Sequence, residues 1–252
     1  MRIVVANVNT TEAVTEVIRA QAVAIAAPGT EVLAVTPRFG PPSVEGNFES
    51  YLAAVAVMDR VRAVPEPFDA VVLAGFGEHG KEGLAELFDV PVVDITEAAA
   101  HTASLLGRRF SVVTSLTRTT GQITDRLALT GLGSRCASVR ATGMAVLELE
   151  ADPERARDRL AAEAVRAVRE DGAEVVCLGC AGMAGLAEQV RDAAGVPVVD
   201  GVPAAVGLAE LLVRQGLSTS KVGGWATPHP ARTASTTATS SPPARAARRT
   251  WP

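Results

Sequence analysis

The stretch AEVVCLGCAGM (173–183) runs as a continuous apolar segment into glycines and a cysteine, Cys180. A short apolar run bounded by glycine is the pattern of a strand covered on both faces, as in a parallel sheet. About a hundred residues earlier, FDAVVLAGFGE (68–78) has the same shape, with Gly75 in the place of Cys180. The likeness extends outward from this pair. VPVVDITEAAAHTASLLG from Val90 resembles VPVVDGVPAAVGLAELLV from Val196, and RIVVANVNTT from Arg2 resembles RFSVVTSLTRTT from Arg109 with one residue inserted. The three blocks, including VVLAGFG from Val71 against VCLGCAG from Val176, are offset by 106, 107 and 105 residues. One order at nearly one spacing predicts two lobes of similar build.

Between the blocks, Val-rich runs alternate with Ala-, Leu- and Glu-rich stretches of helical period. The pattern predicts strands at 3–6, 31–35, 70–74, 92–94, 110–114, 138–141, 175–179 and 198–200. Helices are expected at 12–26, 48–64, 84–88, 97–106, 122–130, 153–170, 184–194 and 203–215. Such alternation implies an α/β protein with right-handed crossovers. The expectation is two pseudo-symmetric lobes with parallel sheets flanked by helices and a cleft between them. Residues 1–98 with 206–226 form the first lobe, 99–205 the second. From 227 to 252 the chain is rich in Pro, Ser, Thr and Ala with Arg as its only charged residue, and it is expected to be disordered.

Composition narrows the function. A chain of 252 residues, 48% hydrophobic and only 4% aromatic, must build its core from Ala, Val and Leu. A net charge of −4, with no basic patch before the tail, argues against nucleic acid. No apolar run approaches the length of a membrane span, and the N-terminal run is too short for a signal peptide. Three cysteines make no disulfide framework, so a reduced cytoplasmic setting is expected.

Ligands of α/β proteins bind at the carboxyl ends of the strands. The loops there make Asn7, Ser43, Phe76, Gly77, Thr114, Thr119, Ala181 and Gly182 the candidates for substrate contact. Asn7 is favoured because two asparagines bracket a turn where one cap would suffice. Cys180, between a strand and the start of the expected helix, is either a thiol poised for proton transfer or a small core residue. Cys177 reads as core, since strand alternation separates it from Cys180, and no second CxxC or nearby His completes a metal site. Cys136 reads as structural. His79 is either a titrating group near neutral pH or a solvated loop residue. GFGEHG lacks the Lys-Ser/Thr of a phosphate loop.

Together NVNTT (7–11), GPPSVEG (40–46), GFGEHG (75–80), LGRRFSVVTSLTRT (106–119), VRATGMAVLELE (139–150), VVCLGCAGMAGLAEQV (175–190) and VPVVDGVPAAV (196–206) resemble the hydantoin and allantoin racemases of the aspartate/glutamate racemase superfamily. The resemblance implies catalysis without cofactor or metal, and a homo-oligomer acting on a small molecule. It also implies two cysteines facing each other across the substrate, one removing and one returning the proton beside a carbonyl. Cys180 falls on the second of these and Gly75 on the first. This chain therefore departs from the pattern, with His79 as a candidate stand-in. Three functions follow: a racemase of hydantoins or amino-acid derivatives, a one-sided proton-transfer enzyme such as an arylmalonate-type decarboxylase, or a catalytically impaired binder. On sequence alone, Gly75→Cys is expected to raise racemization by orders of magnitude.

Overall fold

The computed structural model describes residues 1–183 and 185–229. The expected disordered tail lies, from 230 onward, outside the described residues. Strands β1 (Arg2–Asn7), β2 (Glu31–Val35), β3 (Ala70–Ala74) and β4 (Val92–Asp94) form a sheet in the order β2-β1-β3-β4. Strands β5 (Phe110–Thr114), β6 (Cys136–Ala141), β7 (Val175–Leu178) and β8 (Val198–Asp200) repeat it as β6-β5-β7-β8. Every pairing in both sheets is parallel. The internal repeat thus corresponds to two sheets of one topology.

Both faces of each sheet are buried, which explains the lack of a period-two polar pattern in the strands. Ile3, Val5, Ala70 and Val72 face the layer between the sheets, while Val4, Ala6, Val71 and Leu73 face outward. In the second sheet Phe110, Val112, Val175 and Cys177 point inward, and Val113, Val176 and Leu178 outward.

Helices α1 (Glu12–Ile25), α4 (Ile95–Leu106), α5 (Thr120–Leu129) and α9 (Gly201–Arg214) supply the inner layer. Helices α2 (Asn47–Arg62) and α3 (Lys81–Leu87) cover the outside of the first sheet. The outside of the second is covered by α6 (Val146–Ala151), α7 (Pro153–Asp171) and α8 (Ala187–Ala194). The short α6 is absent from the sequence expectation. Asp152 both ends it and caps α7 with its side chain on the Arg155 N–H, and Pro153 follows at the first helical position. A single six-residue turn before such a strong start signal carries too little periodicity to be seen.

The lobes exchange helices. α4 leaves the first sheet and packs across β5 and β7, while α9 leaves the second and packs against β3. Ala98, Ala99, Ala103, Ala205 and Ala209 are fully buried in this central layer, so the alanine-rich composition is what lets the backbones approach. The approach is tightest at Gly201, where a Cβ would stand 2.8 Å from the Ile95 carbonyl oxygen and 2.9 Å from Ile95 Cβ. Ile95 and Gly201 are counterparts in the two VPVVD blocks, so the repeat is broken where exact symmetry would clash. Gly201→Ala is expected to cost about 1–3 kcal/mol of stability by overpacking, measured by urea denaturation. A loss below a few tenths of a kcal/mol would show that the helices separate freely.

Candidate active site

The carboxyl ends of both sheets open onto one cavity of about 50 Å³. The first lobe contributes Asn7, Val8 and Asn9 after β1, Val44 after β2, and Gly75, Phe76 and His79 after β3. The second contributes Thr114, Ser115 and Thr119 at and after β5, Val146 after β6, and Gly179 to Gly182 after β7. Matching loops of the repeat thus meet, and Gly75 and Cys180 line the same space. Of the residues expected at the site, only Ser43 and Gly77 lie outside the lining. The Ser43 hydroxyl donates to Glu45 Oε1 at 2.8 Å. Gly77, with φ +128, donates its N–H to Thr96 Oγ1 at 2.8 Å and shapes the loop from behind.

Cys180 is half-buried at the cavity wall. Its carbonyl accepts the Met183 N–H at 3.0 Å, closing a 3-10 turn over Ala181–Met183, and α8 begins only at Ala187. The sequence expectation of a thiol at the first turn of an α-helix is therefore corrected, because the helix dipole falls off within a turn. The turn provides something else. The backbone N–H groups of Ala181 and Gly182 make no hydrogen bond among the described residues, leaving two donors beside the sulfur. Cys177 is fully buried, its thiol pKa raised by burial, with Sγ 3.6 Å from the Ala99 carbonyl oxygen. Burial also pushes Cys136 up to about 11. Neither lines the cavity.

The two asparagines, both at the cavity wall, spend their amides differently. Asn7 Nδ2 donates to Asn9 Oδ1, the Thr11 carbonyl and Thr15 Oγ1 at 3.0, 3.2 and 3.0 Å, and its Oδ1 accepts the Asn9 N–H. Its amide is consumed in building the turn, although the residue borders the cavity. Asn9 spends only its oxygen, on the Thr11 N–H and on Asn7, and its Nδ2 makes no bond among the described residues. Thr114 donates its hydroxyl to the Gly179 carbonyl at 2.9 Å and Thr119 to that of Leu116 at 2.8 Å, so both fix loops. The Ser115 hydroxyl makes no such commitment. Among the described residues Asn9 and Ser115 thus keep uncommitted polar groups, in two strand-end loops where the sequence singled out Asn7, Thr114 and Thr119 instead. Which amide of NVN is spent depends on the fold of the turn.

The loop after β3 holds the main asymmetry. A Cβ on Gly75 would overlap His79 Cδ2 and stand 2.5 Å from Val8 Cγ1, distances that side-chain carbons do not adopt. The imidazole therefore fills the volume a cysteine at 75 would need. A thiol at 75 thus requires His79 and Val8 to move first. Gly75→Cys is expected to lose about 1–3 kcal/mol by overpacking, seen as a lowered Tm in calorimetry, and His79→Ala should recover part of it. An unchanged Tm would show that the ring yields without cost.

His79 is almost entirely buried, and its Nδ1 has no partner among the described residues. Burial lowers its pKa from 6.5 to about 4, partly offset by the Phe76 carbonyl and Asp94. At neutral pH the ring is uncharged. Among the described residues, no Asp, Glu, Lys or Arg side chain lines the cavity. Because the unfolded chain takes up this proton first, stability is full above about pH 6.5 and declines as pH falls toward 4. The loss amounts to about 3 kcal/mol at roughly 1.4 kcal/mol per pH unit. Melting curves between pH 7 and 4.5 should show this slope in the parent and a flatter one in His79→Gln. Equal slopes would place the ring in water.

Comparison with known proteins accords with this geometry. The family model described as Asp/Glu/hydantoin racemase matches residues 3–209. A hydantoin racemase of Pseudomonas sp. (strain NS671) is 42% identical over 223 residues, covering 88% of this chain and 90% of that protein. The crystal structure of an allantoin racemase from Pseudomonas fluorescens is 66% identical with a TM-score of 0.90, covering 91% of this chain and 98% of that one. The allantoin racemase of Klebsiella pneumoniae is 46% identical with a TM-score of 0.88, covering 91% and 94%. The chain belongs to the Asp/Glu/hydantoin racemase family and is an isomerase of the racemase type. Among the described residues no helix is long and apolar enough to cross a membrane.

Proposed function

We propose that this protein racemizes a neutral cyclic ureide, a 5-substituted hydantoin such as allantoin, by proton transfer at C5 without a cofactor. The observation that carries this reading is the uncharged cavity wall. An amino acid brings a carboxylate and an ammonium group, and burying either without a counter-charge is costly. A hydantoin ring brings only carbonyls and N–H groups, which the Ala181 and Gly182 N–H groups, Asn9 and Ser115 can meet. The names of the relatives at 42% and 66% identity point the same way.

In this reading the neutral His79 imidazole takes the C5 proton on one face, and the electron pair passes into the adjacent carbonyl as an enolate stabilised by backbone N–H donors. The carbon becomes planar. The Cys180 thiol gives its proton to the opposite face and inverts it, and the imidazolium then returns the proton it took to the thiolate through solvent, so both groups are restored. The face that loses the proton belongs to the loop after β3. His79 lines the cavity there as a neutral imidazole. We assign the acid–base group of that face to His79.

The decarboxylase alternative is not favoured, since a malonate would bring two carboxylates to a wall with no cation among the described residues. The test is loss of optical rotation from enantiopure allantoin or a 5-alkyl hydantoin, run in D2O. Racemization with one deuterium gained at C5 is expected. Cys180→Ser should slow it by about 10²–10⁴-fold, and His79→Gln by a similar factor. Full activity in Cys180→Ser, or no turnover of either substrate by the parent protein, would refute the assignment. Product exchanged at C5 with its handedness retained would mark a one-sided enzyme instead.

A further inference from the structure

Behind the loop after β3, on the side away from the cavity, one guanidinium gathers carboxylates from separate parts of the chain. Arg126, on α5 of the second lobe, is 3% exposed. Its Nη1 donates to Glu78 Oε2 at 2.9 Å and Glu82 Oε1 at 2.6 Å. Its Nη2 donates to Asp94 Oδ2 at 2.8 Å and Glu97 Oε1 at 3.0 Å. Glu78 sits in the loop, Glu82 on α3, Asp94 at the end of β4 and Glu97 in the first turn of α4. All four belong to the chain segment of the first repeat.

The remaining contacts show what is fixed. Asp94 Oδ1 accepts the N–H groups of Thr96 and Glu97, so the carboxylate that holds Arg126 also caps α4. Thr96 Oγ1 in turn accepts the Gly77 N–H, and Glu78 Oε1 accepts the Gly80 N–H at 2.8 Å. Both left-handed glycines of the loop are thereby tied to Arg126, Gly80 through two hydrogen bonds and Gly77 through three. Lys81 adds a second cation, paired with Glu97 at 2.9 Å and lying over the Trp225 ring. The Nε of Arg126 is buried with no partner among the described residues, so the side chain is placed for its two terminal nitrogens. A lysine cannot reproduce this fork.

We propose that Arg126 is a positioning residue for proton transfer. It clamps the loop carrying Gly75, Glu78 and His79 to the second lobe, which carries Cys180, and so sets the gap between the two faces of the substrate. This deepens the racemase reading and rests on it. Arg126 touches neither the cavity nor the reacting atoms, so it acts by holding the loop in register.

Arg126→Lys keeps the charge and removes the fork. We expect kcat to fall at least about tenfold with KM changed less than about threefold, since a small misplacement of an acid–base group costs rate rather than affinity. Amide hydrogen exchange at Gly77 and Gly80 should quicken by about tenfold or more while Val112 in β5 keeps its protection. Glu82→Gln, at a half-exposed partner, guards against misfolding and should loosen the same amides by a smaller factor in the same direction. Loop exchange and kcat within about twofold of the parent in Arg126→Lys would overturn the proposal. So would exchange that rises equally throughout both sheets, which marks general destabilisation. If the parent racemizes nothing yet the loop amides respond as described, the clamp stands and the racemase reading fails.

Discussion

Two parallel sheets can share one cleft only if the helices between them pass close enough to bring the strand ends together. The crossing of α4 and α9 meets that requirement with alanine, and with a glycine, Gly201, set against the Ile95 carbonyl. Larger side chains would thicken the layer and draw the loops after β3 and β7 apart. Burial along this seam is the hydrophobic contribution that holds the lobes in register, and it lies on the inner face of both sheets rather than within either lobe.

The cavity at the end of that seam is defined by neutrality. Charged side chains are numerous in the chain, yet those nearest the site are turned away and paired with one another behind the loop after β3. A wall of amide, hydroxyl, backbone N–H and one thiol suits a polar but uncharged ring. Removing a proton from such a ring creates charge only as the reaction proceeds, where fixed donors are most effective. Placing the ionic cluster outside the cavity keeps the resting site free of a counter-ion that a neutral substrate would have to displace.

The asymmetry between the lobes is local. Strand order, capping aspartates and loop positions are shared, with Asp94 capping α4 at the Thr96 and Glu97 N–H groups and Asp200 capping α9 at that of Val202. The divergence lies at Gly75 and Cys180, where one lobe carries sulfur and the other packs an imidazole into the space a side chain at 75 would need. A residue missing from a pattern in the sequence thus corresponds in space to a different residue standing there.

Strand runs, repeat spacing and helix punctuation are local or periodic properties, so the sequence by itself determined two α/β lobes of one topology. It also placed Cys180 and Gly75 at equivalent strand ends and put Cys177 inside a strand. Only the tertiary structure decided which polar groups remain available, since that depends on neighbours distant along the chain. Asn7 and Asn9 are alike in sequence until the turn consumes one of them. His79 reads as either a titrating or a solvated loop residue until the fold buries it beside Gly75. Arg126 carries no motif, because its carboxylates lie between 29 and 48 residues away and meet only when α5 folds against the first repeat. Chain order records what each segment prefers to be, whereas charge pairing and side-chain volume are settled where segments meet.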